Sequence, residues 1–235
     1  MNQKLELKLD NPRERQPVLE LFDRLRRQHP ELDQLRQYQD ELALESVPGT
    51  PEQKWIAVRD KSVRSGCVNC DRMIDAYTFH QQILELSPFF LSINPLDVQY
   101  VELLIGFDLL APGNHNEIVR DAFFAEGPLA GLMNEPSELA IDIQPAFGLI
   151  TRDETNIEVH FEVKTRNARA NGLSPDALML EPISVYITAR KTGSVSRVQD
   201  LATLGATLAR RAEQIVTMRA VPHLIEPLRR AIGLY

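Results

Sequence analysis

Cysteine and tryptophan are scarce in this sequence, which has two cysteines and one tryptophan among 235 residues. A chain of this length can bury a hydrophobic core without covalent support, so the low cysteine content agrees with a reducing compartment. No stretch of about 18 residues is free of charge, as a membrane-spanning helix would require. Residues 1–10 lack the apolar run of a secretory signal. We therefore predict a cytoplasmic protein that does not enter the membrane.

Positive charge is also in short supply, and the net charge is −7. Proteins that bind nucleic acid or anionic lipid rely on clustered lysine and arginine, so this balance argues against both kinds of partner. The charge is unevenly placed, because residues 183–235 carry +5 and the remainder of the chain carries −12. The basic C-terminal helices are either an ordinary solvated face or a surface for an acidic protein partner or a second copy of the chain.

Alternating hydrophobicity is the clearest pattern and spans residues 138–163. Apolar residues alternate with polar or small ones on both sides of a polar stretch at 151–156: Leu139, Ile141, Ile143, Phe147, Leu149, Ile157, Val159, Phe161 and Val163. Strands with one buried and one solvated face have this two-residue period. The pattern predicts a long antiparallel hairpin.

The rest of the chain mixes strand and helix patterns. Period-two or continuous apolar runs predict strands at residues 5–9, 41–47, 55–59, 73–79, 101–110 and 183–189. Apolar residues that recur every three or four positions predict helices at 18–25, 32–38 and 118–123, a long helix from 196 to a point before 222, and a short helix from 227. Strands and helices of this kind indicate the α+β class.

The order of strand, broken helix, hairpin and strand occurs twice along the chain. Leu5 and Leu42 lie 37 positions apart, and Val101 and Leu139 lie 38 positions apart. The sequence therefore predicts two structurally related units, each a mainly antiparallel sheet with helices on one face, followed by a C-terminal helix pair.

The boundary between the predicted units falls in a segment with two proline-containing turns. Residues 88–98 are nevertheless apolar enough to form a packed connection. We expect residues 1–87 to form the first α+β unit and residues 99–235 to form the second unit with the C-terminal helices.

Cys67 and Cys70 form the motif with the clearest chemical potential, because two thiolates at this spacing can hold one metal ion or form a redox pair. A structural zinc site needs four ligands, and His80 is a further candidate nearby in sequence. A redox motif of this kind would sit where a strand meets a helix, whereas the residues before Cys67 resemble a loop. Incidental thiols, a metal site and a redox site are the three alternatives.

Histidines beside carboxylates supply candidate acid–base groups. His115 and Glu117 begin a predicted helix, where backbone amides favour an anion and lower the pKa of an imidazole. His160 and Glu162 lie on the polar face of the hairpin, where neighbouring strands could complete a site. An ordinary capping turn and a solvated strand face would give the same two patterns.

The sequence contains no spacing typical of a catalytic triad, a cofactor-binding loop or a nucleic-acid-binding motif. The leading hypothesis is a non-catalytic binding or assembly module that uses no cofactor and forms a homodimer. One alternative is a hydrolase or metal-dependent enzyme with a cleft between the units, built on His115 or on the strand face of His160 and Glu162. The other is a thiol or metal sensor at Cys67 and Cys70.

Overall fold

The computed structural model describes residues 1–11, 15–133, 135, 137–153, 155–166 and 181–233. Its strands are β1 (Asn2–Leu7), β2 (Leu32–Tyr38), β3 (Glu41–Ser46), β4 (Gln53–Arg59), β5 (Ser62–Val68), β6 (Val98–Leu110), β7 (Ala146–Ile150), β8 (Glu158–Lys164) and β9 (Pro182–Thr192). In this described part they form a nine-stranded sheet in the order β2-β3-β4-β5-β1-β6-β9-β8-β7. The predicted α+β class is confirmed, and the structure has one large antiparallel sheet.

The α-helices are α1 (Arg15–Gln28), α2 (Met73–Phe90), α3 (His115–Phe123), α4 (Asp200–Ile215) and α5 (Glu226–Ile232). A π-helical segment, Val216–Ile225, joins α4 to α5. No helix in the described part of the chain is both long enough and apolar enough to cross a lipid bilayer.

Two predictions of secondary structure in the first half of the chain are wrong. Residues of β2 were expected to be helical, but Leu35 and Tyr38 are exposed, so their helical spacing does not mark a buried stripe. Residues 73–79 were expected to form a strand but begin α2. Its buried side chains include Ala76, Phe79 and Ile83, whose spacing of three and four positions is that of a helix face.

Two predictions in the second half also need correction. The hairpin is present, but its first strand begins at Ala146, because residues 138–145 are outside any strand. The second correction concerns Pro222. The long α-helix ends at Ile215, before Pro222 as predicted, but the helical path continues through a π-helical segment that contains Pro222. The i→i+5 bonding of a π-helix moves the carbonyl group that a proline ring would otherwise meet, so the helical path continues.

The chain divides into two compact units that interleave along the sequence. Unit 1 comprises residues 1–104, 150–158 and 188–212, and unit 2 comprises residues 105–149, 159–187 and 213–235.

Helices α1 and α2 supply the apolar cover of unit 1. The stripe predicted for α1 is confirmed, because Val18, Leu21, Phe22 and Leu25 are all buried. Helix α2 contacts both α1 and β5. The sheet side chains that face these helices are therefore largely apolar, as the alternation of a one-face-buried strand requires.

The only tryptophan lies on the other face of the unit 1 sheet. Trp55 of β4 is the register partner of Gly66 in β5, and a methyl group at Gly66 would overlap the indole ring. The guanidinium carbon of Arg64 lies 6.0 Å from the centroid of the same ring. Glycine is therefore required at position 66 so that the indole can lie across the neighbouring strand.

The aromatic ring of Phe161 in β8 is part of the buried core of unit 2. Phe161 is 3% exposed, and its ring stacks on that of Phe147 in β7 with centroids 5.1 Å apart. The guanidinium carbon of Arg219, from the π-helical segment, lies 5.1 Å from the Phe161 centroid. The buried face predicted for β8 is present, since Val159 and Val163 are also buried.

Candidate functional site

His115 is a structural histidine in this fold. It is 1% exposed, its Nε2 lies 3.0 Å from the carbonyl oxygen of Ala111, and the backbone N–H of Arg166 donates to its Nδ1. Burial lowers the pKa of His115, although the bond to Ala111 works in the opposite direction. Both ring nitrogens are engaged by the backbone, so His115 has neither the exposure nor the free nitrogen that a general base requires. Its predicted companion Glu117 forms an ion pair with Arg120.

The side chains of Asn114 and Asn116 form hydrogen bonds with residues 138–145, the segment that was predicted to be part of a strand. Asn114 caps α3 by accepting from the backbone N–H of Asn116, and its Nδ2 donates to the carbonyl of Ala140. Asn116 Oδ1 accepts from the backbone N–H of Ile143 and from the Thr165 hydroxyl. Amide side chains therefore take the place of a neighbouring strand at Ala140 and Ile143, and this competes with strand formation in the segment.

Replacing Asn116 with alanine is expected to lower the free energy of unfolding by about 2 kcal/mol, because a partly buried N–H and a buried hydroxyl would lose their acceptor. Urea unfolding followed by circular dichroism measures the change. Gln144→Ala is the matched control, since Gln144 is exposed and bonds only Asp142 beside the same segment. Equal unfolding midpoints for the two variants would contradict this role of Asn116.

His160 and Glu162 lie on the face of β8 that points away from Phe161. The His160 ring lies over Gly148 of β7, where an added Cβ would be 2.8 Å from Nδ1. Glu162 forms a 2.6 Å ion pair with Lys164 on its own strand. The positions of His160 and Glu162 thus follow from strand alternation, and the glycine opposite accommodates the ring.

Cys67 and Cys70 are joined by a disulfide. Their sulfur atoms and a carboxylate oxygen of Glu52 lie within 4.8 Å of one another, forming a cluster of potential metal-ligand atoms. His80, the other predicted ligand, lies outside this cluster, and its Nδ1 is 2.8 Å from the Ser65 hydroxyl. The structure therefore brings the two cysteines together and adds Glu52, which the sequence did not indicate because it is 15 positions away.

The setting of the two cysteines differs from the loop that the sequence suggested. Cys67 belongs to β5, and α2 begins at Met73, only three residues after Cys70. The motif therefore lies where a strand meets a helix. The error follows from the missed identity of α2, because a helix after residue 72 was not expected.

A groove of about 920 Å³ lies between α2 and the start of α4. Phe89, Val198, Ala202 and Ala206 line much of it, together with Glu85. Histidine and cysteine are absent from its lining. None of the predicted catalytic residues therefore lies at this groove.

Strand β7 forms an apolar edge in the described part of the sheet, since β8 is its only neighbour in the strand order. All five of its residues are exposed. Phe147, Leu149 and Ile150 are 50%, 47% and 60% exposed, respectively. An uncharged, exposed edge strand is a ready template for pairing with another strand.

The direction of the backbone groups in β7 follows from two hydrogen bonds in the hairpin. Val163 donates to the carbonyl of Pro145, and Thr151 donates to the carbonyl of Ile157. Because bonded positions alternate along an antiparallel strand, the N–H and C=O groups of Ala146, Gly148 and Ile150 point away from β8. These three residues present the pairing edge.

Strand β2, at the opposite end of the strand order, has a different edge. It carries Asp33 and Arg36 among its seven residues, and Asp33 forms a 2.6 Å ion pair with Arg26. Charged side chains on an edge strand oppose pairing with further strands. Of these two edges, β7 is therefore the one suited to association.

Comparison with known proteins does not assign the chain to a family. No protein-family model matches the sequence, and no curated protein matches it.

Proposed function

We propose that this protein is a non-catalytic assembly module that forms a homodimer through the edge of β7. The observation that carries the proposal is the combination of exposed apolar side chains and outward backbone groups on one uncharged edge strand. The buried, doubly bonded state of His115 supports the absence of acid–base catalysis at that residue.

The sequence of β7 suits antiparallel pairing with a second copy about Gly148. In that register Gly148 faces its own counterpart, and Ala146 faces Ile150 of the second copy. The outward groups of these residues would form about six backbone hydrogen bonds between the chains. A contact of this kind is isologous, so it joins two copies and then closes.

The helix-facing side of β7 provides the apolar part of the same contact. In the proposed register Phe147 lies opposite Leu149 of the second copy, and the two-fold axis repeats this pair. Each side chain is about half exposed in the single chain, so pairing would remove apolar surface from water on both copies. The dimer would place Leu149 of the second copy beside the stacked rings of Phe161 and Phe147.

Replacing Leu149 with lysine is expected to convert the dimer to a monomer at micromolar concentrations, because the variant places two charges in the apolar contact. Sedimentation velocity measures the change. Leu35→Lys is the matched control: Leu35 is 46% exposed, against 47% for Leu149, and lies on the β2 edge. A wild-type protein that sediments as a monomer, or a control that dissociates equally, would contradict the proposal.

Ile150→Pro gives an independent test of the backbone contribution. Proline removes the outward N–H of residue 150, while the pairing of β7 with β8 uses the alternate positions. We expect a folded monomer by circular dichroism and sedimentation.

The contact contains no charged residue, so moderate salt should leave the wild-type dimer intact. A salt-sensitive complex would instead favour an acidic partner at the C-terminal helices.

We also propose that the chain contains an internal duplication. Read outward from the neighbouring strands β1 and β6, the strand order is β1-β5-β4-β3 in one direction and β6-β9-β8-β7 in the other. Leu5 of β1 and Val101 of β6, which occupy equivalent positions in the two sequence patterns, are also direct register partners. Two related strands that meet at a local two-fold axis would pair equivalent residues in this way.

An experimental structure tests the duplication. The backbone of β1, α1, β3, β4 and β5 is expected to superpose on that of β6, α3, β7, β8 and β9 with the same connectivity. A different order of strand directions in the second set would contradict common ancestry of the halves. This outcome is independent of the dimer contact, because it concerns one chain alone.

A further inference from the structure

The disulfide of Cys67 and Cys70 is asymmetric in its access to solvent. Cys67 is completely buried, whereas Cys70 is partly exposed in the turn between β5 and α2. Asn69 between them has a φ of 54°, the left-handed conformation that reverses the chain. Of the two cysteines, Cys70 is therefore the residue that a thiol from solution can approach.

Cys70 also lies near the amino-terminal end of a helix. It lies three residues before the first residue of α2, an 18-residue helix. The N-terminal end of a helix carries partial positive charge from its unpaired amides, and this charge stabilises an anion nearby. Cys70 would thus be a good leaving group when a mixed disulfide at its sulfur is resolved.

The buried sulfur has a carboxylate beside it. Glu52 Oε1 lies 3.5 Å from Cys67 Sγ and 3.3 Å from Lys54 Nζ. Lys54 Nζ also lies 3.0 Å from Glu31 Oε1. Burial opposes the charged form of Lys54, but its bonds to Glu31 and Glu52 raise its pKa overall. A permanent ammonium group is therefore held next to the Glu52 carboxylate.

This arrangement suits thiol chemistry better than metal binding. The described cluster offers three ligand atoms, whereas a closed zinc site uses four. Lys54 is bonded to Glu52, so a divalent cation at this carboxylate would lie beside an ammonium group. The same carboxylate can instead accept a proton from the Cys67 thiol when the cysteines are reduced.

We propose that Cys67 and Cys70 form a reversible dithiol–disulfide exchange site, in which Cys70 reacts with an external dithiol and Glu52 accepts and returns the proton of Cys67. The partner class is a dithiol, whether a small molecule or a pair of protein cysteines. The proposal does not depend on dimer formation at β7.

The reductive direction can be written with its electrons and protons balanced. A thiolate of the external dithiol attacks Cys70 Sγ, the bond between Cys70 and Cys67 breaks, and Cys67 leaves with the electron pair and is protonated through Glu52. The second external thiol then loses its proton and attacks its own mixed-disulfide sulfur. This releases Cys70, which takes up that proton. The external dithiol becomes a disulfide, and the protein gains two electrons and two protons.

The first test compares the two cysteines singly. Cys67→Ser leaves Cys70 to react with glutathione disulfide, and Cys70→Ser leaves Cys67. We expect the Cys67→Ser variant to form the mixed disulfide at least about 100-fold faster, as measured by intact mass, because only its thiol is accessible and near a helix N-terminus. Comparable rates, or faster reaction of Cys67, would overturn the assignment of Cys70.

Wild-type protein provides a test that needs no variant. Dithiothreitol is expected to open the disulfide while the circular dichroism spectrum stays native, and brief alkylation should then label Cys70 before Cys67. A disulfide that opens only in denaturant would overturn the exchange site. Zinc that binds the reduced protein and withstands a chelator would also overturn it, in favour of a metal site.

The role of Glu52 is tested with a matched pair of variants. Glu52→Gln and Glu31→Gln each remove one carboxylate from Lys54, but only Glu52 contacts Cys67. With glutathione disulfide as oxidant, closure of the Cys67–Cys70 bond from the mixed disulfide should slow about tenfold in Glu52→Gln and stay unchanged in Glu31→Gln. Equal rates in both variants would overturn proton transfer by Glu52.

Discussion

Phe161→Asp is expected to lose the folded structure of unit 2. Removing a buried phenylalanine ring costs about 3 to 5 kcal/mol through lost burial and the cavity that remains. A carboxylate in the same place adds a desolvation cost of several kcal/mol, which the neighbouring Arg219 would offset only in part. The total is comparable to the whole stability of an ordinary domain.

Thermal unfolding followed by circular dichroism measures this effect. Phe161→Leu is the control, because leucine keeps an apolar side chain in contact with Phe147 and should cost only about 1 to 2 kcal/mol. If Phe161→Asp melts at the wild-type temperature, the assignment of this face of β8 to the core is wrong.

Acidification is expected to destabilise the protein through His80. Its side chain is 2% exposed, and burial lowers its pKa from 6.5 to about 3. The unfolded chain therefore binds a proton at His80 between these two pH values while the folded chain does not. Above pH 6.5 His80 is neutral in both states and does not reduce the free energy of unfolding. As the pH falls from 6.5 towards 3, protonation of His80 in the unfolded chain lowers this free energy progressively.

The size of this effect can be estimated from the difference in pKa. Each pH unit below 6.5 costs about 1.4 kcal/mol, so a solution two units below that value should lose roughly 3 kcal/mol through His80 alone. Urea unfolding at neutral pH and at the lower pH gives the measured loss. The His80→Gln variant keeps a polar partner for Ser65 but does not titrate. Its loss of unfolding free energy between the two pH values should therefore be smaller than that of the wild type by roughly 3 kcal/mol. The same pH dependence in the variant and the wild type would contradict the assignment.

The elements that the sequence predicted correctly are those in which several apolar residues mark the same buried face. Helix α1 was predicted from Val18, Leu21, Phe22 and Leu25, and the structure buries all four. Strand β8 was predicted in the same way from its alternating residues. In both elements the hydrophobic period and the final environment agree, so local patterning was sufficient.

The errors have two different causes. Residues 138–145 alternate as a strand does, but the side chains of Asn114 and Asn116 bond Ala140 and Ile143 from 26 and 27 positions away. Helix α2 was missed because its start resembles a strand and Pro88 lies inside it. The first cause lies outside any short window of sequence, whereas the second is a local pattern that fits both kinds of element.

The candidate sites show the same division. The spacing of Cys67 and Cys70 marked them as candidates for a redox pair or a metal site, with incidental thiols as the other alternative. Glu52 joins them because the register of β4 and β5 places Lys54 opposite Cys67. The outward edge of β7 depends on its place at the end of the sheet, which requires the complete strand order. Register and strand order are properties of the whole fold.

The single tryptophan gives the two units different optical signals during unfolding. Trp55 lies in unit 1, where its indole contacts Gly66 and Arg64, while unit 2 contains no tryptophan. Intrinsic fluorescence excited at the indole therefore follows unit 1 alone, whereas far-ultraviolet circular dichroism follows both units. Coincident transitions by the two probes would show that the units melt as one cooperative block. Separate transitions would give each unit its own stability, and Phe161→Asp would then change the dichroism while the indole emission stayed native.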